Sequence, residues 1–174
     1  MNQLLFALIF FLPAGFANTT PVLVKRLPFL KNWNTPIDLG LKINNHRILG
    51  DNKTWRGVIF GGLVGGLVGW VLYKYISHSG IQEVSHFWVG AFLGYGALFG
   101  DAVESFVKRQ LKIKSGESWF PFDQIDFVLG AFLFSIPFVR LALLDYVLVI
   151  VVYLLLHVVV SYLGYKLKFK DKPI

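Results

Sequence analysis

HFWVGAFLGYGALFGDAVESFVKR (86–109) decides the fold. Its first part is apolar and glycine-rich, with no Asp, Glu, Lys or Arg before Asp101. Continued as a helix, GDAVESFVKR puts Asp101, Glu104, Ser105 and Lys108 at i, i+3, i+4 and i+7, on one face. Two carboxylates, a hydroxyl and a cation then converge where an apolar helix meets water. A second acidic pair, Asp123 and Asp126, follows a short polar loop and opens the next apolar run. Carboxylates at the mouth of a membrane helix are costly to keep without a purpose. Hard cations such as Mg²⁺ take oxygen ligands, commonly one or two carboxylates plus substrate phosphates. The four acids therefore suggest a bound divalent cation and a phosphorylated ligand. Spacing alone is equally compatible with solvated charges at helix ends, where Asp123 and Asp126 would be favoured by the helix dipole.

Working outward, the apolar residues fall in five blocks, at about 4–24, 57–76, 86–100 (continuing to about 107), 127–144 and 146–163. With 55% hydrophobic and only 16% charged residues, the chain has too little polar surface for a soluble domain of its length. It reads as an all-α integral membrane protein with five transmembrane helices. The first block is read as a retained helix rather than a signal peptide, because no Lys or Arg precedes it. Of the 17 Lys and Arg, all but Lys74 and Arg140 fall on one side of this arrangement, in loops at about 25–56 and 108–125 and in the tail with Lys166, Lys168, Lys170 and Lys172. That asymmetry puts the N-terminus outside and the C-terminus and both long loops in the cytoplasm. The basic residues carry no aromatic-interleaved module, which argues against nucleic acid. The absence of cysteine excludes disulfides and thiolate metal sites.

Glycines at 57, 61, 65 and 69, and again at 62 and 66, make smooth stripes for close helix approach. Gly90, Gly94, Gly96 and Gly100 do the same on the third helix. Pro137 is expected to kink the fourth. In RILGDNKTWRG (47–57), a turn leads into the second helix and places Lys53, Thr54 and Arg56 near its N-terminus, a natural anion site. These basic residues are equally compatible with plain positive-inside flanking. Asn18 and Pro21, in ANTTPVLVK (17–25), suggest a broken helix lining a polar site, with an interhelical hydrogen bond as an equal alternative. His157 reads as an interhelical polar contact, and His46, His78 and His86 have no metal-ligand spacing. Ser105 has no adjacent base, so no nucleophilic triad stands out.

Three stretches together resemble the CDP-diglyceride synthetase superfamily, and most closely its short archaeal-type branch, the CDP-archaeol synthases. They are Asn18 to Lys25, Gly50 to Gly57, and the block running from GDAVESFVKR through KSGESWFPFDQID to Asp126. Bacterial relatives carry a glycine-rich element after the proline. Here Pro121-Phe122 runs straight into Asp123-Gln124-Ile125-Asp126.

The resemblance implies a single transmembrane catalytic domain over 1–174. It implies a cytidylyltransferase that joins CTP to an ether-linked bis-geranylgeranyl glycerol phosphate, giving a CDP-activated lipid and pyrophosphate with Mg²⁺ as cofactor. Asp101, Glu104, Asp123 and Asp126 would be catalytic, with Asp101, Asp123 and Asp126 holding the metal. Asn18, Lys53, Thr54, Arg56, Ser105, Lys108, Arg109 and Gln124 would bind the substrates. The partners would be CTP, a lipid phosphate and membrane lipids, with the site facing the cytoplasm of a cell membrane. A homo-oligomer stays open. The competing reading is a small transporter whose acids form an ion path, although these acids cluster at one side rather than along a span. A purely structural membrane protein, assembling through its glycine stripes, leaves the acids unexplained.

Overall fold

A computed structural model describes residues 3–43, 46–75, 85–114 and 117–168. Ile76, His78, Lys170 and Lys172 lie outside them. Five helices follow one another among the described residues: α1 (Gln3–Val24), α2 (Trp55–Tyr73), α3 (Ser85–Gln110), α4 (Phe122–Ser135) and α5 (Leu143–Lys166). α1, α2 and α5 are long and apolar enough to cross a membrane. The first loop adds a two-stranded antiparallel hairpin, β1 (Lys42–Ile43) against β2 (His46–Arg47), the one element outside the all-α expectation.

α3 is the central helix, and its glycines explain why. Gly90 and Gly94 meet Gly65 and Gly69 of α2 at backbone contact. A Cβ on Gly65 would lie 2.8 Å from the Gly90 carbonyl oxygen, and one on Gly69 would lie 2.6 Å from Gly90 Cα. On another face of α3, Gly96 and Gly100 meet Gly130 of α4. A Cβ on Gly100 would collide with the Asp126 carbonyl and lie 3.1 Å from Gly130 Cα. Without side chains at these positions, three helices pack backbone to backbone, which is how helices associate when lipid offers no hydrophobic drive between them. An aromatic core of Phe6, Phe10, Phe11, Tyr73, Phe127 and Tyr153 closes α1 onto the rest. Pro13 removes one N–H from the α1 ladder. Next to that gap the Tyr73 hydroxyl donates to the Phe10 carbonyl (2.7 Å), and the Tyr153 hydroxyl donates to Leu8 (2.9 Å).

Two sequence expectations need correction. α1 is continuous through Asn18 and Pro21 rather than broken there. The Thr19 and Thr20 hydroxyls bond back to the Phe16 carbonyl (2.9 and 2.8 Å), within the turn that precedes the proline. Pro137 kinks nothing. α4 starts at Phe122, earlier than expected, and stops at Ser135, with Pro137 in the following turn. Asp123 and Asp126 thus belong to the first turns of α4.

The loop between α1 and α2 is a folded cap. Buried Asp38 accepts from the backbone N–H groups of Gly40, Leu49 and Gly50 (3.1, 2.9 and 3.3 Å) and pairs with Arg47 at 2.7 Å. Ile37 N–H donates to Lys53 (2.9 Å) and Trp55 N–H to Thr35 (3.0 Å). Arg56 is 2% exposed and donates to the Leu30 carbonyl at 2.5 Å. Thr54 caps α2 by accepting from Gly57 N–H (3.3 Å). Burial works to raise the Asp38 carboxyl. Arg47 and the three backbone donors outweigh it and hold the group at about 2, below its ordinary 3.8.

Gly100→Ala should destabilise the fold by about 1–3 kcal/mol through overpacking, read as a lower Tm in detergent. Gly15→Ala should be nearly neutral, since its methyl would meet only Tyr153, at 3.4 Å. A depressed carboxyl stabilises the fold above its unfolded value and loses that contribution as pH falls through its folded one. The cap of the wild-type protein should therefore hold from pH 8 down to about 4 and become sensitive to pepsin only toward pH 2. Asp38→Asn should cost about 2 kcal/mol and expose the cap to trypsin at pH 8.

Candidate active site

At the end of the bundle where α3, α4 and the cap meet lies an open cleft of about 770 Å³. Asp101, Glu104, Ser105, Lys108 and Arg109 reach it from the last turns of α3. Asp123 and Asp126 come from α4, Lys53 and Thr54 from the edge of the cap, and Asn18 from α1. Ten of the sequence-derived site residues thus share one cavity.

Within it, carboxylate oxygens of Asp101, Glu104 and Asp126 lie within 4.8 Å of one another. The backbone contact of Gly100 with Asp126 brings the α4 acid this close to the α3 acids. Lys53 Nζ sits 2.5 Å from Asp101. Asp126 accepts from Phe127 N–H at 2.6 Å. Glu104 is buried, and its Oε1 has no hydrogen-bond partner among the described residues; Lys108 Nζ stands 3.3 Å away, at ion-pair distance only. Three hard oxygen donors at this spacing, one of them a buried carboxylate oxygen that makes only an ion pair, fit a divalent cation of the Mg²⁺ type. Arg109 Nε is likewise buried without a hydrogen-bond partner and faces the same cleft.

Three residues sit differently from the expectation. Asp123 lies outside the close oxygen triad, although its carboxylate, held by Lys108 Nζ (2.8 Å) and Trp119 N–H (2.6 Å), stands beside that of Glu104. Arg56 turns inward to Leu30 and does not line the cleft. Gln124 is buried outside the lining. Lys108 does line the cleft but is spent on structure. It is 8% exposed and also donates to the Glu117 carbonyl at 2.6 Å, tying the α3–α4 loop to α3. Sequence reasoning also missed cleft residues. Lys25 and Arg26 count only as positive-inside charges in the sequence, yet they line the cavity, and Arg26 also donates to the Lys168 carbonyl at the end of α5 (2.6 Å).

A second cavity of about 470 Å³ runs between α1 and α5, lined by apolar groups such as Leu12, Phe16, Phe127, Leu156 and Val160. Asn18, Val22 and His157 line both cavities. The molecule is thus a helical membrane protein that joins a carboxylate-and-cation cleft to an apolar groove, an arrangement suited to a phosphorylated amphiphile.

Comparison with known proteins agrees with that class. The chain belongs to the CarS-like family, described as CDP-archaeol synthase, whose profile matches residues 1–174. It is 36% identical to the CDP-archaeol synthase of Pyrococcus furiosus, covering 99% of both chains. To that of Sulfolobus acidocaldarius it is 35% identical, again over 99% of each. A solved structure described as an intramembrane enzyme for archaeal membrane lipids biosynthesis superposes with a TM-score of 0.79 at 32% identity, covering 92% of this chain and 94% of that one.

Lys53 and Lys108 should separate cleanly on mutation. Lys53→Ala should raise the KM for the anionic nucleotide about tenfold or more while lowering Tm less than Lys108→Ala does, since its pair with Asp101 is partly exposed. Lys108→Ala would strand Asp123 and Glu104 in a buried site, so a loss of about 3–5 kcal/mol in thermal unfolding is expected.

Proposed function

We propose that the protein is a CTP-dependent cytidylyltransferase acting on an ether-linked isoprenyl glycerol phosphate at the membrane. The carrying observation is that the acidic and basic cleft opens, through Asn18, Val22 and His157, directly onto the apolar groove between α1 and α5. A lipid phosphate has the two halves that such a pair of cavities requires. With the five helices taken as spans, the Lys and Arg asymmetry puts the cleft toward the cytoplasm, which suits the supply of CTP.

In the reaction, an oxygen of the lipid phosphate forms a bond to the α-phosphorus of CTP. The bond from that phosphorus to the oxygen bridging to the β-phosphate breaks, and pyrophosphate leaves with the electron pair. No protein nucleophile is needed; positioning and charge stabilisation suffice. Asp101, Glu104 and Asp126 would hold Mg²⁺, with Asp123 and Lys108 bracing them from one side. When bound, the ion supplies neutralisation of the phosphate charge. Lys53, Arg109, Lys25 and Arg26 surround the cleft with cations for the triphosphate. Thr54 lines the same edge at the start of α2, where the helix dipole favours an anion. The apolar groove takes the isoprenyl chains out of water. An ion pathway is poorly served by this layout, because the acids gather at one end of the bundle instead of lining a span.

Asp101→Asn and Asp126→Asn should each lower turnover with CTP and lipid phosphate by at least about a hundredfold, the scale of several kcal/mol of charge stabilisation. Both variants should stay folded and bind Mn²⁺ more weakly by electron paramagnetic resonance. The double variant should be little worse than either single one, since groups that act as a unit fail together. Asp145→Asn, at the far end of α5, should keep near-normal activity. Near-normal turnover of both single variants would remove the proposed metal centre.

A further inference from the structure

We infer that His157 is a ligand of the lipid substrate's phosphate, the residue that marks where the headgroup passes from the apolar groove into the charged cleft. This rests on the reading of the two cavities as one substrate path. His157 is on α5, whose neighbouring turns offer the groove apolar side chains such as Leu156 and Val160, together with Ser161 and with Tyr153, whose hydroxyl is committed to the Leu8 carbonyl. It is one of three residues lining both cavities, and the other two, Asn18 and Val22, stand on α1 across the opening. Its ring lies against Phe127, with centroids 5.8 Å apart and planes at 40°. Phe127 lines the groove while its neighbour Asp126 lines the cleft and belongs to the carboxylate triad. The imidazole therefore sits beside the boundary at which α4 changes from groove wall to cleft wall.

The chemistry of that place is narrow. A phosphomonoester whose chains fill the groove must put its oxygens at the opening to reach the cleft. Of the three residues shared by both cavities, Val22 offers no donor and Asn18 offers amide hydrogens. His157 adds a ring N–H donor at the edge of an imidazole whose apolar body packs on Phe127. Hydrogen bonds to an ionised phosphate are the stronger kind, and each one lost in a low-dielectric site weakens binding substantially. Placed there, His157 would hold the attacking oxygen near the α-phosphorus without taking part in bond making.

The test compares ligands with and without the phosphate. Binding of an isoprenyl ether glycerol phosphate, and of the matching lipid alcohol, is measured for wild type, His157→Ala and His157→Gln in detergent. Wild type should prefer the phosphate. His157→Ala should shrink that preference by about tenfold or more, and His157→Gln, which keeps a donor, should restore part of it. The KM for CTP and the affinity for Mn²⁺ should move less than about twofold. Equal weakening of phosphate and alcohol would make His157 a wall of the groove and overturn the inference. An undiminished preference in a folded His157→Ala would do the same. If wild type bound neither ligand, the proposed function itself would fall, a result distinct from either of these.

Discussion

Everything at the site depends on how closely α4 can lie against α3. Gly96, Gly100 and Gly130 have no side chains, so the two backbones touch, and the carbonyl of Asp126 rests where a Gly100 Cβ would be. In a bilayer this contact must come from packing, since lipid tails give helices no hydrophobic reason to associate. The same contact fixes which side of α4 faces which cavity. Asp126 enters the cleft beside Asp101 and Glu104, and Phe127, one residue on, enters the groove. A single packing decision thus places the carboxylate centre and the apolar wall together.

Three carboxylates within 4.8 Å repel one another, by roughly 3 kcal/mol or more per ionised pair at an effective dielectric of about 20. The fold brings cations to the triad from two directions. Lys53 reaches Asp101 from the cap, and Lys108 stands between Glu104 and Asp123 on the other side. The position of Lys53 is itself secured at a distance. Asp38 gathers the cap around its carboxylate, Arg56 pins the cap to the Leu30 carbonyl, and the Lys53 carbonyl is bonded by Ile37 N–H. The cap is therefore part of the site, although most of its residues never reach the cleft.

Much of this was legible in the sequence, for a physical reason. Helical periodicity alone puts Asp101, Glu104, Ser105 and Lys108 on one face, and glycines four apart announce close helix packing. The α3 end of the site could be read because its residues are local to one helix. What resisted reading depends on partners far away in the chain. The spacing of Asp123 and Asp126 says nothing of Lys108 and Trp119 N–H, which hold the Asp123 carboxylate. Arg56 and Lys53 look alike in a basic loop, and only the folded cap turns one inward and the other toward the acids. Pro137 could kink or follow a helix, and the outcome was set by where α4 begins. His157 reads as a polar contact between helices, and nothing in its sequence neighbourhood signals that two cavities meet there.

The central claim is that the carboxylate cleft and the apolar groove serve one displacement at the α-phosphorus of CTP. The most direct measurement supplies purified protein, Mg²⁺ and an isoprenyl ether glycerol phosphate with CTP labelled at either the α- or the γ-phosphorus, and follows the label into the organic phase. The account predicts that α-label enters the lipid in step with pyrophosphate release and that γ-label stays in the aqueous pyrophosphate. Label entering the lipid from the γ-position, or none entering from the α-position while the protein remains folded, would contradict it.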